Sequence, residues 1–164
     1  MAADIRPATP EDAEAMRDVA ERAWEAAHSP IIGEDRTRDF LDTYYDVDSL
    51  HEVINRERWI THVADADGAV TGFVSGGPSD EDPTLFHLGR LYIAPKQWGN
   101  GIGGQLLAVF ERQATERGAS CLSLQVMAEN ERAVGFYEST GYERNKRIYD
   151  ETIETDAYVY TKSV

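Results

Sequence analysis

The segment Leu91-Tyr-Ile-Ala-Pro-Lys-Gln-Trp98 runs into Gly99-Asn-Gly-Ile-Gly-Gly104, and a helical apolar pattern at Leu106, Leu107, Val109 and Phe110 begins at once. No other stretch of this chain limits its fold as tightly. An apolar strand must end, the backbone must bend through glycines 99, 101, 103 and 104, and a helix must start within a few residues. The first amides of such a helix lack internal acceptors and carry the positive end of the helix dipole, about half an elementary charge. With no side chains on the glycines, those amides stay open to an anion, and a phosphate or diphosphate suits them best.

The rest of the chain supplies the scaffold. A short strand around Ile5 precedes Thr9-Pro10-Glu11-Asp12, which reads as an N-cap, a proline at the first helical position and acids in the first turn. Ala13, Met16, Ala20, Ala23, Trp24 and Ala27 then recur at helical spacing. A second helix is expected from Glu34 to Tyr45, and a third, capped by Asp48, carries Leu50, Val53 and Ile54. Trp59 to Ala64 and Val70 to Ser75 flank Asp65-Ala-Asp-Gly68, a hairpin signal. Gly76 to Pro83 reads as a polar surface loop, and Leu85 to Ile93 as a strong strand. After the glycine segment and its helix, closed by Arg117-Gly118, come a strand from Cys121 to Met127 and a helix from Asn130 to Thr140 ended by Gly141. Two strands near Tyr142 to Tyr149 and Ala157 to Thr161 finish the order. Helices interleaved with a mostly antiparallel sheet indicate a three-layer α/β domain.

Gly99, Gly101 and Gly104 also fit the spacing G-x-G-x-x-G. A dinucleotide fold needs that pattern inside a βαβ unit with more parallel strands after it. Here only one strand–helix unit and a hairpin-like finish follow.

Two motifs in order, Leu91-Tyr-Ile-Ala-Pro with Trp98-Gly-Asn-Gly-Ile-Gly-Gly-Gln-Leu-Leu107, and Glu129-Asn-Glu-Arg-Ala-Val-Gly-Phe-Tyr-Glu-Ser-Thr-Gly-Tyr142, give the chain a clear resemblance. It resembles the GNAT superfamily of N-acetyltransferases over residues 59 to 142, and more loosely before them. The family's loop pattern is Q/R-x-x-G-x-G/A. Aligning its glycines on Gly101 and Gly103 puts Trp98 where Gln or Arg is usual, with Gln97 one place early.

The resemblance implies one N-acetyltransferase domain over residues 1–164, a three-layer α-β-α fold, and a mixed, mostly antiparallel sheet splayed at the cofactor site. It implies acetyl-CoA as co-substrate, with no metal, and a primary amine of a small molecule or peptide as acceptor. The diphosphate would rest on Trp98, Gly99, Asn100, Gly101, Ile102, Gly103 and Gly104, and the pantetheine arm would run along Leu91, Tyr92 and Ile93. A backbone N–H near Ile93 would face the thioester carbonyl, and Tyr137 matches the family's proton-donating tyrosine. Its phenol, with an ordinary pKa of about 10, stays protonated at neutral pH. Asn130 either caps its helix or bonds the pantetheine amides. For the base, His87 has the right intrinsic pKa; Glu34, Asp35 or Glu129 acting through water, or bulk water, are the alternatives. Trp24, Tyr44, Tyr45 and Tyr92 either line the acceptor pocket or pack the core. Relatives that pair through their C-terminal strands imply a homodimer. A non-catalytic acyl-CoA-binding module of the same fold is the other function that fits.

Composition excludes several other classes. Thirty acids stand against sixteen bases, a net charge of −14, so the surface repels nucleic acid and acidic membranes. No apolar run approaches the roughly 18 residues that cross a bilayer. The opening Met1-Ala-Ala-Asp-Ile-Arg-Pro has no basic start leading into an apolar stretch, so a cytoplasmic setting is the default expectation. Cys121 is the only cysteine, so no intrachain disulfide and no cysteine metal cluster is available. His28, His51 and His62 have no ligand spacing between them.

Acidity of this degree suits a salt-rich setting, where the Debye length shrinks to about 3 Å near molar salt and repulsion between carboxylates fades. The melting temperature is therefore expected to rise from low to molar KCl in a thermal denaturation series. Equal values at the two salts would count against salt adaptation.

Overall fold

The computed structural model describes residues 3–164; Met1 and Ala2 lie outside the described residues. The chain runs β1 (Asp4–Pro7), α1 (Ala13–Ala27), α2 (Ser29–Ile32), α3 (Glu34–Tyr44), α4 (Val47–Asn55), β2 (Ile60–Ala66), β3 (Ala69–Pro78), β4 (Leu85–Ile93), α5 (Ile102–Glu116), β5 (Cys121–Met127), α6 (Glu131–Ser139), β6 (Glu143–Asp150) and β7 (Thr155–Ser163). The seven strands form one sheet in the order β1-β2-β3-β4-β5-β7-β6. All pairs are antiparallel except β4 with β5.

Two apolar clusters sandwich the sheet. On one face α5 sends Leu106, Leu107 and Phe110 onto Ile60, Val74 and Phe86, and Tyr137 of α6 joins the same cluster. On the other face Met16, Trp24, Leu41 and Leu50 from α1, α3 and α4 pack on Val63 and Phe73. The result is the expected three-layer arrangement. Among the described residues no helix is long and apolar enough to cross a membrane.

Local chemistry explains most boundaries. Arg6 forks the carboxylate of Asp12 at 2.8 and 2.9 Å, and the same carboxylate accepts from the Thr9 amide at 2.8 Å, which fixes the entry to α1. The β2–β3 hairpin turns at Asp67 and Gly68, both at positive φ, as a two-residue Asp-Gly turn requires. The cap of α4 is Asp46, whose carboxylate accepts from the Ser49 amide, and not Asp48. Asp46 stands just outside the helix with extended backbone, whereas Asp48 already lies in its first turn.

The sheet comes apart at one place. β4 and β5 pair only through Leu85, Phe86 and His87 against Cys121, Leu122 and Ser123. Beyond them β4 follows β3, β5 follows β7, and a gap opens between Leu88–Ile93 and Leu124–Met127. At the point of departure β4 carries an extra residue, Gly89, since Gly76 faces Leu88 while Ser75 faces Arg90. A bulge of this kind bends a strand and increases its twist.

The segment expected to be loop from Gly76 belongs instead to β3, which continues to Pro78. Its glycines serve close packing. A Cβ on Gly76 would overlap the His87 carbonyl oxygen and lie 2.6 Å from the Phe110 ring, and one on Gly77 would lie 2.6 Å from the Trp59 indole. Gly76→Ala is expected to lower stability by about 1–3 kcal/mol through this overpacking, read as a lower urea midpoint; an unchanged midpoint would refute the packing account.

Candidate functional site

The gap between β4 and β5 opens into a cavity of about 680 Å³. The strand segment Leu91–Ile93, Trp98, Gly99, Gly101–Gly104, Asn130 and Tyr137 all line it. Asn100 does not; its side-chain nitrogen donates to Oε1 of the Gln97 side chain at 3.1 Å. His87 also lies elsewhere. It sits in the part of β4 still paired to β5, exposed and away from the cavity, so the base role expected of it has no geometry to support it. Glu34, Asp35 and Glu129 are likewise absent from the cavity wall.

Main-chain direction follows from the ladder. The Ala94 amide donates to the Thr71 carbonyl across β3. In an antiparallel pair such bonds alternate, so the N–H and C=O of Ile93, and two residues earlier of Leu91, point away from β3 and into the gap. The Ile93 carbonyl does so visibly, accepting from the Trp98 indole N–H at 2.9 Å. Trp98 thus ties the glycine loop to the end of β4. The Arg132 guanidinium stacks on the outer face of the indole, 4.2 Å from the ring centroid.

At the loop, Gly101 is the N-cap of α5 in the left-handed region, with no side chain capping the amides that follow. A Cβ on Gly99, Gly101 or Gly104 would meet nothing within 4 Å. The cradle is open, and its free amides face it at the positive end of a 15-residue helix.

Tyr137 enters from α6. It is 8% exposed and packs edge-on against Phe136 and Tyr142. Burial pushes its hydroxyl above the ordinary phenol range, with the nearby Tyr92 adding to the effect. Asn130 caps α6, its side-chain oxygen accepting from the Ala133 amide at 3.2 Å, while its amide nitrogen lies 3.4 Å from Nε2 of His28. The capping role expected of it is thus formed.

The opposite wall is aromatic. Trp24 stacks on Phe40 at 4.4 Å and on His28 at 4.1 Å, and Tyr45 hydrogen-bonds the Tyr92 hydroxyl at 3.1 Å. Trp24, Tyr45 and Tyr92 both pack the core and line the cavity, whereas Tyr44 is exposed. Sequence reading missed His28, Phe40 and Arg90 in this wall, and Arg132 at the loop end of the cavity. Arg90 had a signal, standing two residues before Tyr92 on a strand and so on its face; His28 had none.

Residues 13–142 match the model of the Acetyltransferase (GNAT) family. The chain belongs to that family. It is 31% identical over 86 residues to the uncharacterized N-acetyltransferase YhfO of Bacillus subtilis, a match covering 51% of this chain and 58% of that relative. It is 27% identical over 99 residues to the acetyltransferase YE1169 of Yersinia enterocolitica, covering 60% and 68%. The fold superimposes on the PaiA N-acetyltransferase of Thermoplasma acidophilum in complex with coenzyme A with a TM-score of 0.90 at 23% identity over the whole of both chains. Against the ribosomal-protein-alanine N-acetyltransferase of Brucella melitensis the TM-score is 0.79 at 25% identity, over 98% and 99% of the two chains. This member of the GNAT family has a sheet that parts between β4 and β5, with the cavity opening at the split.

His28 yields a pH prediction. Burial lowers its pKa from 6.5 to about 4, so the imidazole is neutral in the fold but protonates in the unfolded chain below about 6.5. Its contribution is fully present above pH 6.5 and is lost as the pH falls toward 4, by up to about 3 kcal/mol. Unfolding free energy is expected to fall across that window, and His28→Gln to flatten part of the slope. An NMR titration placing His28 near 6.5 would overturn this.

Proposed function

We propose that this acetyltransferase moves an acetyl group from acetyl-CoA to a primary amine of a small molecule or peptide by direct transfer, the chain acting as one domain. The observation that carries the reading is the coincidence, at one opening of the sheet, of three elements: the bare helix terminus of α5, the unpaired main-chain edge of β4, and a buried tyrosine hydroxyl.

Each group has a distinct task. The amides of α5 and its glycine loop hold the diphosphate of coenzyme A by charge and hydrogen bonding. Leu91 and Ile93 offer main-chain donors and acceptors to the pantetheine arm, in the manner of an added strand. The outward-pointing Ile93 N–H is positioned to stabilise negative charge on the thioester oxygen. The acceptor nitrogen bonds to the acetyl carbon, the carbon–sulfur bond breaks, and Tyr137 gives its proton to the departing thiolate. The surplus proton of the amine leaves to water. A phenol is protonated at neutral pH and can therefore donate, and the tyrosinate left behind regains its proton from the water that took the amine's.

Tyr137→Phe tests this directly and removes the argument for a non-catalytic acyl-CoA-binding module. In a thiol-release assay over an amine and peptide panel, kcat is expected to fall by about 10²–10⁴-fold, while calorimetry gives an acetyl-CoA affinity within a few-fold of the parent. Unchanged kcat at every pH would eliminate Tyr137 as the acid. Binding without turnover of any amine would favour the module.

A further inference from the structure

We propose that Arg90 recognises a carboxylate on the acceptor, so that the preferred substrates are amines carrying an acid group, such as amino acids or peptides with a free carboxylate near the reacting nitrogen. This rests on the N-acetyltransferase reading above and narrows its acceptor class.

Arg90 lies on β4 just beyond the Gly89 bulge and lines the cavity. Its neighbours Leu91 and Ile93 pack toward the α5 cluster. Arg90 and Tyr92 share the other face, where the guanidinium carbon sits 5.1 Å from the centre of the Tyr45 ring and Tyr92 packs beside Trp24. The cation therefore stands across the sheet from the glycine loop and α5, on the aromatic side of the cavity. It is not placed to serve the diphosphate cradle.

The surroundings leave this cation without a counterion. Its Nε is buried with no hydrogen-bond partner, its guanidinium lies beside the uncharged Tyr45 phenol, and among the described residues it joins no ion pair. A buried guanidinium donor without a partner is costly away from water, and the cavity that Arg90 lines is the side from which a partner can reach it. The acid in the cavity wall, Asp150, forms no ion pair with Arg90 among the described residues, and the other arginine of the wall sits apart from it. Arg132 stacks on Trp98 at the loop end, and a carboxylate oxygen of Asp150 accepts from the Thr152 amide at 2.9 Å. His28 is held neutral by burial. The aromatic chamber thus offers apolar walls and one positive fork, and a planar fork matches a carboxylate in two parallel bonds.

The local field here opposes that of the whole molecule. Net charge of −14 draws cationic amines from a distance, and salt screens that attraction. The Arg90 contact is short-ranged and desolvated, so selectivity for a carboxylate should persist at high salt.

The test compares each amino acid with its carboxamide and its decarboxylated amine as acceptor, by thiol release in low and molar KCl, for the parent, Arg90→Gln and Arg90→Lys. The parent is expected to prefer the carboxylate member of a pair by about ten- to a hundredfold in kcat/KM. Arg90→Gln should erase that preference through KM, leaving the carboxamide rate and the acetyl-CoA affinity within a few-fold. Arg90→Lys should restore part of the preference by charge alone. Equal rates for acid and amide in the parent, or a preference that survives in Arg90→Gln, would overturn the proposal. Should no amine turn over, the transferase reading fails separately, and calorimetry of the same pairs against the CoA-loaded protein decides the role of Arg90. Tighter binding of the acid that is lost in Arg90→Gln supports it, and equal binding sinks it.

Discussion

Everything in this molecule depends on hydrogen bonds that two neighbouring strands do not make. After three paired residues β4 and β5 part, and the edge of β4 between Leu88 and Ile93 keeps its main-chain groups for something other than a strand. Unpaired edges inside a sheet are costly unless satisfied. This edge is stabilised on one side by a continuous ladder to β3 and at its end by the Trp98 indole on the Ile93 carbonyl. The Gly89 bulge lets the strand turn away without breaking that ladder. Helices on both faces then lock the opening, since α5 holds Leu91 and Ile93 while the aromatic cluster holds Tyr92.

Sheet and helices were legible to different degrees. β4 and β5 were read at the bounds they have, because both are dense apolar runs with clear punctuation. The glycine segment announced α5, although the helix starts within it at Ile102 and takes Gly103 and Gly104 into its first turn. What sequence could not show was contact at a distance. Gly76 and Gly77 look like loop residues when read alone, and become strand residues because Phe110 and Trp59 need the space that a side chain would take. Asp46 and Asp48 are equally good caps on paper; only the path of the chain after Tyr45 chooses between them.

The site divides along the same line. Residues contributed by motifs, Leu91 to Ile93, Trp98, Gly99 and Gly101 to Gly104 with Asn130 and Tyr137, come together around one cavity, which Asn100 alone of the expected binding residues does not line. Residues chosen for chemistry alone did not. His87 carries a titratable ring, yet it stands on the closed side of the splay, where β5 covers the edge of β4. Conversely, Arg90 shares its strand face with Tyr92 and could have been read from that spacing, whereas His28 enters the wall at the end of α1, which leaves no spacing pattern to read.

The contact between Asn130 and His28 fixes a detail of the chemistry. The side-chain oxygen of Asn130 is committed to the α6 amide, so its nitrogen is the group turned toward the imidazole, and an amide nitrogen can only donate. Nε2 of His28 must then offer a lone pair, which leaves the ring hydrogen on Nδ1, a buried atom with no partner. One nitrogen is engaged and the other already carries its proton. A histidine in that tautomer has no lone pair left over, so the imidazole in the chamber acts as a strut between two helices.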